Sequence, residues 1–216
     1  MTFSPINLDL VIKLLLLLLI GMGPKIALVP FLEKTSGFDT ATQRAIGRKM
    51  VITAVIAALI LYATGWLLLR LLHISQGAVA VAGGIIFGII AIEMVTGLGK
   101  KPAEEDKTLE DPEKIAIYPL AVPYLLNPVG ITILIVASSE VVSIASVVLV
   151  VALVLIVGAV DYLVFTNIDK LAKRLKPASM VISEVIFGIL LTAVAVQLAL
   201  SGLVSLGIVE AATGAH

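Results

Sequence analysis

The residues best placed to do chemistry lie where proline interrupts two otherwise apolar stretches. One stretch is Leu126-Asn127-Pro128-Val129-Gly130, and the other is Met22-Gly23-Pro24-Lys25-Ile26. Proline removes a backbone N–H and clashes with the carbonyl four residues back, so a helix must break at each point. In a bilayer such a break is tolerated only where it is buried in protein or lines a wet cavity. Two breaks, one in each half of the chain, therefore predict a substrate site between them.

The groups available at these breaks suit a zwitterionic solute. The N-terminus of a half-helix presents free N–H groups and the positive end of a dipole, which favour a carboxylate. An asparagine adds a donor and an acceptor, a threonine adds a hydroxyl, and a glycine lets a ligand approach the backbone. We predict that the substrate is bound by Gly23, Pro24, Asn127, Pro128, Gly130 and Thr132. The alternative is that Pro128 only kinks a packed helix whose freed carbonyl is satisfied by a neighbour.

Charged residues within the apolar stretches are the second set of candidates. At the bilayer centre such a residue costs about 2.5–3.5 kcal/mol on insertion scales and tends to be functional. We predict ion-coupling roles for Lys25, Glu93 and Glu184, with Glu184 as the first choice of partner for Lys25 and a purely structural ion pair as the alternative. Asp161 is expected to reach the inner headgroups. Gln197 is expected to make an interhelical hydrogen bond, with a substrate contact as its alternative.

Six stretches supply the roughly 20 apolar residues that a membrane-spanning helix needs. They cover about residues 8–32, 50–69, 77–99, 115–139, 141–160 and 178–206. The chain is 60% hydrophobic and 14% charged, whereas an average soluble domain is about 25% charged. These observations predict an all-α integral membrane protein with six transmembrane helices, of which spans 1 and 4 are broken at Pro24 and Pro128. Gly84 and Gly88 have the small-xxx-small spacing of closely packed membrane helices.

The two halves of the chain resemble each other. Residues 81–88 align with residues 181–188 at an offset of 100, and Gly23-Pro24 aligns with Asn127-Pro128 at an offset of 104. Because each half holds three spans, the second copy must enter the membrane from the opposite side. We therefore predict inverted three-helix repeats at residues 1–99 and 115–216, joined by a hydrophilic loop at 100–114.

Loop charges predict the orientation. Twelve Lys and Arg residues lie in or beside the loops 35–49, 100–114 and 167–177, whereas the opposite side carries Arg70 alone. By the positive-inside rule these three loops are cytoplasmic, and both termini face outward. Aromatic residues are expected near the interfaces at Tyr62, Trp66, Tyr162 and Phe165.

Composition argues against several other functions. The chain has no cysteine and two histidines, neither of them in a span, so we expect no metal and no cofactor. An intramembrane enzyme would need a nucleophile–base pair or paired carboxylates, which the spans do not offer. The formal net charge is zero, which gives no reason to expect nucleic acid. The expected partners are a small-molecule substrate and the lipid bilayer, with a homo-oligomer as an open alternative.

Several motifs resemble those of the MarC family of six-span membrane proteins. They are Pro119 to Pro123, Asn127 to Thr132, Pro30-Phe31 with Thr35-Ser36-Gly37, and Ile74 through Ala82-Gly83-Gly84-Ile85. The first half differs from the family pattern, Asn-Pro-Ile-Gly, because this chain has Gly23-Pro24-Lys25-Ile26 there. The resemblance implies an integral inner-membrane protein, and some members of the family are described as transporters of small neutral amino acids such as glycine and alanine.

Together these features predict a secondary transporter of small neutral amino acids or related small solutes, working by alternating access, with proton coupling as an option. A passive channel is one alternative, but it would need a continuous polar lining, and the spans offer only scattered Ser and Thr. The other alternative is a structural or lipid-binding membrane protein that transports nothing.

Overall fold

The computed structural model describes residues 8–97, 111–139, 143–168 and 177–210, and every regular element in these ranges is helical. Within them, five helical stretches are long and apolar enough to cross a membrane, and one bent pair of helices makes a sixth. Large apolar side chains cover the outside of the bundle, as at Ile56, Ile89 and Leu155. An apolar exterior of this kind indicates contact with lipid. The predicted six-span, all-α architecture is confirmed.

The first span is broken as predicted. It consists of α1 (Leu8–Met22) and α2 (Pro24–Thr35), which are separated by Gly23 in an extended conformation with φ −84° and ψ 165°. Pro24 is the first residue of α2, a position where its missing N–H costs no intrahelical hydrogen bond. The interruption is local, and residues Val11–Thr35 still form one span.

The second span, α3 (Thr40–Leu72), is longer than hydropathy predicts. Asp39 caps its start by accepting a hydrogen bond from the Ala41 N–H at 3.1 Å. The hydroxyl of Thr42 also donates to Asp39 and lowers the pKa of that carboxyl. The predicted loop 35–49 is therefore mostly helix, because a helix can continue past the membrane surface into water. The cationic residues of this predicted loop, Arg44, Arg48 and Lys49, lie in the first turns of α3.

The two aromatic residues near the other end of α3 differ. Trp66 is exposed and lies 5.3 Å from the guanidinium carbon of Arg70, a cation–π contact suited to a membrane interface. Tyr62 was expected in the same belt but is buried in the bundle core. Hydropathy locates the end of a span but does not tell which face of the helix packs inward.

The fourth span is bent by 70°. The third span, which precedes it, is the single helix α4 (Gln76–Thr96). In the fourth span, the short helix α5 (Pro112–Ile115) leads into an irregular proline segment (Ala116–Leu125). Tyr118 and Val122 have extended backbones within it, and helix α6 (Pro128–Ser139) follows. Proline at three positions thus makes this span a broken one, as the sequence predicts.

The last two spans are α7 (Ile144–Thr166) and α8 (Pro177–Ser205). Two side chains near the end of α7 are more deeply buried than the sequence suggested. Phe165 was expected at the interface, but its ring packs against Phe31 of α2 with the centroids 5.0 Å apart. Asp161 was expected to reach the headgroups, but it is fully buried. Both lie on the face of α7 that packs against α2 and α3.

The helices of the two halves pack against each other. Helices α1 and α3 each pack on both α6 and α7, and α4 packs most extensively on α8. Glycine permits the closest approach in the last pair, since a Cβ atom at Gly77 would lie 2.7 Å from the Gly202 carbonyl oxygen. The main apolar core lies between α1, α2, α3, the proline segment and α7, and a smaller one lies between α4 and α8.

Two glycines one turn apart on α4 provide a test of this packing. A Cβ atom at Gly84 would lie 2.7 Å from the Ala195 carbonyl oxygen, whereas one at Gly88 would lie 3.7 Å from the Ala195 Cβ atom, an ordinary contact. We expect Gly84→Ala to lower the stability by about 1–3 kcal/mol through overpacking. Gly88→Ala should leave stability unchanged or raise it by about 1 kcal/mol through helix propensity. Thermal unfolding of both variants in detergent measures the difference, and equal stabilities would contradict the packing described.

Candidate functional site

The two broken spans meet where their interruptions lie. Gly21 of α1 and Gly130 of α6 face each other so closely that a Cβ atom at Gly21 would lie 2.6 Å from the Gly130 nitrogen. Any larger residue at either position would force the backbones apart. The sequence therefore predicted correctly that the two breaks come together, although it did not identify Gly21.

Asn127 joins the two breaks by four hydrogen bonds. Its backbone N–H donates to the Gly21 carbonyl oxygen at 3.0 Å, and its Nδ2 donates to the Ile20 carbonyl oxygen at 2.7 Å. Its Oδ1 accepts from the backbone N–H groups of Val129 at 2.9 Å and Gly130 at 3.2 Å. One side chain therefore caps the start of α6 and the end of α1.

These bonds follow from the prolines themselves. In an unbroken helix the N–H of residue 24 would donate to the Ile20 carbonyl, but Pro24 has no N–H. A carbonyl left without a partner in a membrane protein costs several kcal/mol, so another donor must replace it. The Asn127 amide, 107 residues away in the sequence, is that donor.

The N-terminus of α6 is thus occupied from within the chain. The sequence predicted that its free N–H groups would hold a carboxylate, but in this conformation Asn127 already accepts from those of Val129 and Gly130. Asn127 itself is completely buried. Its observed contacts match the packing alternative, in which a neighbour satisfies the groups freed by the break.

A cavity of about 530 Å³ lies directly beside this crossing, between α1, α4, α6 and α8. Its wall is mainly apolar. The polar side chains that line it are Gln76, Thr132, Gln197, Ser201 and Ser205. Along α1 the cavity reaches Ile20, the residue before Gly21, so the Gly21–Gly130 contact closes its inner end.

The polar lining comes from three helices. Gln197, Ser201 and Ser205 follow one another at intervals of four residues along one face of α8. Gln76, at the start of α4, donates from Nε2 to the Ser139 hydroxyl at 2.5 Å, which joins the start of α4 to the end of α6. Thr132 donates to the Pro128 carbonyl oxygen at 2.9 Å. The cavity therefore offers amides and hydroxyls, and no ionisable side chain lines it.

Among the predicted substrate-binding residues, Thr132 lines this cavity. Asn127, Pro128 and Gly130 lie directly behind its wall and are buried. Gly23 and Pro24 lie at the break between α1 and α2 and are not part of the lining. The structure therefore brings the predicted residues into one region, where most of them support the cavity and one lines it.

The predicted ion-coupling residues lie on three helices, and the predicted Lys25–Glu184 pair stays a prediction. Lys25 is exposed on α2, and Glu93 is exposed one turn before the end of α4. The side chain of Glu184 lies outside the described residues. Sets of three or more side chains suited to a metal ion do not occur among the described residues.

Sequence reasoning placed Gln197 in an interhelical hydrogen bond, whereas its Nε2 lies 3.5 Å from the Ser201 hydroxyl of its own helix and its side chain lines the cavity. It did not predict that Gln76, Ser201 and Ser205 line a site. For the two serines, the four-residue spacing of polar residues on α8 was the signal that could have identified them. Such a stripe along an otherwise apolar helix indicates a face turned away from lipid.

Comparison with known proteins assigns the chain to a family. A model described as "MarC family integral membrane protein" matches residues 8–206. Among curated relatives, a UPF0056 membrane protein of Methanocaldococcus jannaschii is 29% identical over 84% of this chain and 90% of its own length. Another from Pyrococcus abyssi is 26% identical over 89% of this chain and 96% of its own length. No solved structure matches the chain significantly. Since the family model covers all six spans, this multi-pass membrane protein belongs to the MarC family.

Proposed function

We propose that this chain is a secondary transporter of small neutral solutes, with small amino acids such as glycine and alanine as the first candidates. The cavity beside the two broken spans is the observation that carries the proposal. Its volume of about 530 Å³ lies in the usual range of ligand sites, about 300–1,000 Å³. Discontinuous helices that meet near a binding site are typical of secondary transporters.

The lining favours an uncharged or zwitterionic solute. Its polar groups are amides and hydroxyls, which both donate and accept hydrogen bonds. The N-terminus of α4 also lies at the cavity, since Gln76 and Gly77 line it. A helix N-terminus favours a carboxylate. We therefore place the substrate carboxylate at the start of α4 instead of the start of α6. The side-chain amide oxygen of Gln197 and the nearby hydroxyls suit the ammonium group of an amino acid.

Alternating access requires two units that can move against each other. The spans of the first half pack on those of the second: the first and second spans pack on both the fourth and the fifth, and the third packs mainly on the sixth. The proposed moving units are the inverted repeats inferred from the sequence. With the predicted orientation, the cavity lies on the outer side, because it extends toward Gln76 and Ser205 at the ends of α4 and α8. The buried crossing at Gly21 and Gly130 then closes it toward the cytoplasm.

A passive channel is less well supported by the same geometry. A channel needs a continuous polar path, whereas the wall of the cavity is mainly apolar and the backbones of Gly21 and Gly130 are in contact beside it. A carrier needs this closure, because only one side of its site is open at a time.

Counterflow in liposomes tests the proposal. Protein preloaded with unlabelled glycine or alanine should transiently accumulate labelled substrate from outside. Thr132→Val removes one cavity hydroxyl at nearly constant volume, and we expect the half-saturation concentration to rise about fivefold, equivalent to a hydrogen bond of about 1 kcal/mol.

Thr64→Val is the matched control, because the Thr64 hydroxyl also donates to the carbonyl four residues back, at 2.7 Å, but faces away from the cavity. Its transport should equal that of the wild type. If folded wild-type protein shows no counterflow for any small neutral amino acid, the proposed substrate class is wrong. If both threonine variants behave alike, the cavity is not the binding site.

A further inference from the structure

One buried acidic residue, Asp161, does not line the cavity described above. Asp161 of α7 has no exposed surface, and neither carboxyl oxygen has a hydrogen-bond partner in the described part of the chain. Buried charges in proteins are paired or hydrogen-bonded because an isolated ionised carboxylate is very costly away from water. An acid in this position avoids that cost by holding a proton.

The surroundings of Asp161 are apolar. It lies between Gly158, which faces Val55 of α3, and Phe165, which faces Gly47 of α3. Since these two contacts show that α3 and α7 run antiparallel, the part of α3 at the level of Asp161 is that around Met50 and Val51, which are both buried. An acid carried at this depth in a membrane protein is by default a functional residue.

Charged groups on the neighbouring helices do not neutralise it. Toward the same end of the bundle these groups are Glu33 and Lys34 of α2 and Arg44, Arg48 and Lys49 of α3, and Lys25 lies farther along α2. On α1, Asp9 and Lys13 pair with each other at 2.8 Å. The remaining titratable groups of α3 are Tyr62, whose buried hydroxyl also has no described partner, and Arg70 at the opposite end. None of these groups hydrogen-bonds to an Asp161 oxygen.

Two buried aromatic rings lie on the side of Asp161 that faces the cationic end of the bundle. Phe165 follows one turn later on α7 and packs against Phe31 of α2, and both rings are fully buried. Arg44, Arg48 and Lys49 line a separate groove between α3 and α7, where Lys49 also pairs with Glu113 of α5 at 2.6 Å. A carboxylate uncovered at this end would be stabilised by these cations.

We infer that Asp161 is the proton-binding site of the transporter, protonated while Phe31 and Phe165 close over it and deprotonated when α2 moves away from α7. This inference rests on the proposed transport function and names a coupling site for it, whereas the Lys25–Glu184 pair predicted from the sequence stays a separate prediction. The break at Gly23 lets α2 move relative to α1. Over one transport cycle the step is balanced, since the carboxyl group releases one proton to water on the cytoplasmic side while the rings are apart and takes one up from the outer side in the other half of the cycle.

The first test needs no substrate. Infrared spectra of wild-type protein in lipid should contain the C=O stretch of a protonated carboxyl group at neutral pH, and Asp161→Asn should lack it. If that band is absent from the wild type, or persists in the variant, Asp161 does not hold the proton.

The second test separates exchange from coupling. In liposomes, a gradient of about one pH unit can sustain about a tenfold ratio of internal to external substrate concentration for each coupled proton. Wild-type protein should convert such a gradient into substrate accumulation, whereas Asp161→Asn should lose that accumulation and keep counterflow, which needs no net proton movement. Asp9→Asn is the control for an exposed acid and should behave as wild type.

Three results would overturn the inference. They are retained proton-driven accumulation in Asp161→Asn, loss of coupling in Glu184→Gln alone, and accumulation driven by a sodium gradient instead of a proton gradient. Absence of counterflow in the wild type is a different outcome, because it refutes the transport function itself.

Discussion

Replacing Asn127 with alanine should reduce the stability of the protein by about 3 kcal/mol or more, the largest effect expected of any single polar substitution in the bundle. The variant leaves three buried backbone groups without partners: the Ile20 carbonyl and the N–H groups of Val129 and Gly130. Each buried group left unsatisfied costs about 1–3 kcal/mol. The melting temperature in detergent, followed by loss of monodisperse protein on heating, measures the effect.

Two further variants show which hydrogen bonds matter. Asn167→Ala removes an exposed asparagine that bonds to the Leu163 carbonyl of its own helix, and it should change stability by no more than about 0.5 kcal/mol. Asn127→Ser keeps a side-chain acceptor that can cap α6 but is too short to donate to the Ile20 carbonyl. Serine and asparagine are about equally good caps. Wild-type stability in Asn127→Ser would therefore show that the bond to α1 contributes nothing, contrary to the structure.

The breaks and the spans could be predicted because their causes are local. Proline removes an N–H whatever surrounds it, so the sequence marks Pro24 and Pro128 as places where a helix can break, although Pro30 lies inside α2 without interrupting it. Apolar length likewise identifies the spans. The start of α3 was placed too late because hydropathy marks where a helix enters the membrane, whereas the hydrogen bond from Ala41 to Asp39 marks where the helix begins.

The interior of the site could not be predicted because it depends on which helix faces meet. Helix α7 is apolar on all sides, so no periodic pattern distinguishes the buried side of Asp161 from the lipid side of Tyr162. The Asn127–Ile20 hydrogen bond joins residues 107 positions apart, and no local rule specifies such a contact. The stripe of Gln197, Ser201 and Ser205 was the one pattern in the sequence that pointed to the cavity.

Filling the cavity should abolish transport. Val194 of α8 is partly buried and lines the cavity, so Val194→Trp would place a large ring in the space that the substrate needs. We expect counterflow of labelled glycine or alanine to fall to the level of liposomes without protein. Because the ring enters existing space, the variant should remain folded, which the melting temperature in detergent would show.

Val196→Trp is the matched control on the same helix. Two residues turn an α-helix by about 200°, so Val196 faces the opposite way, and 53% of its surface is exposed on the outside of the bundle. A tryptophan there would lie in lipid and should leave counterflow intact. Loss of transport in Val194→Trp but not in Val196→Trp would locate the substrate path in the cavity. Equal activity in both variants would mean that the solute crosses elsewhere, because a ring of this size cannot share the cavity with a bound substrate.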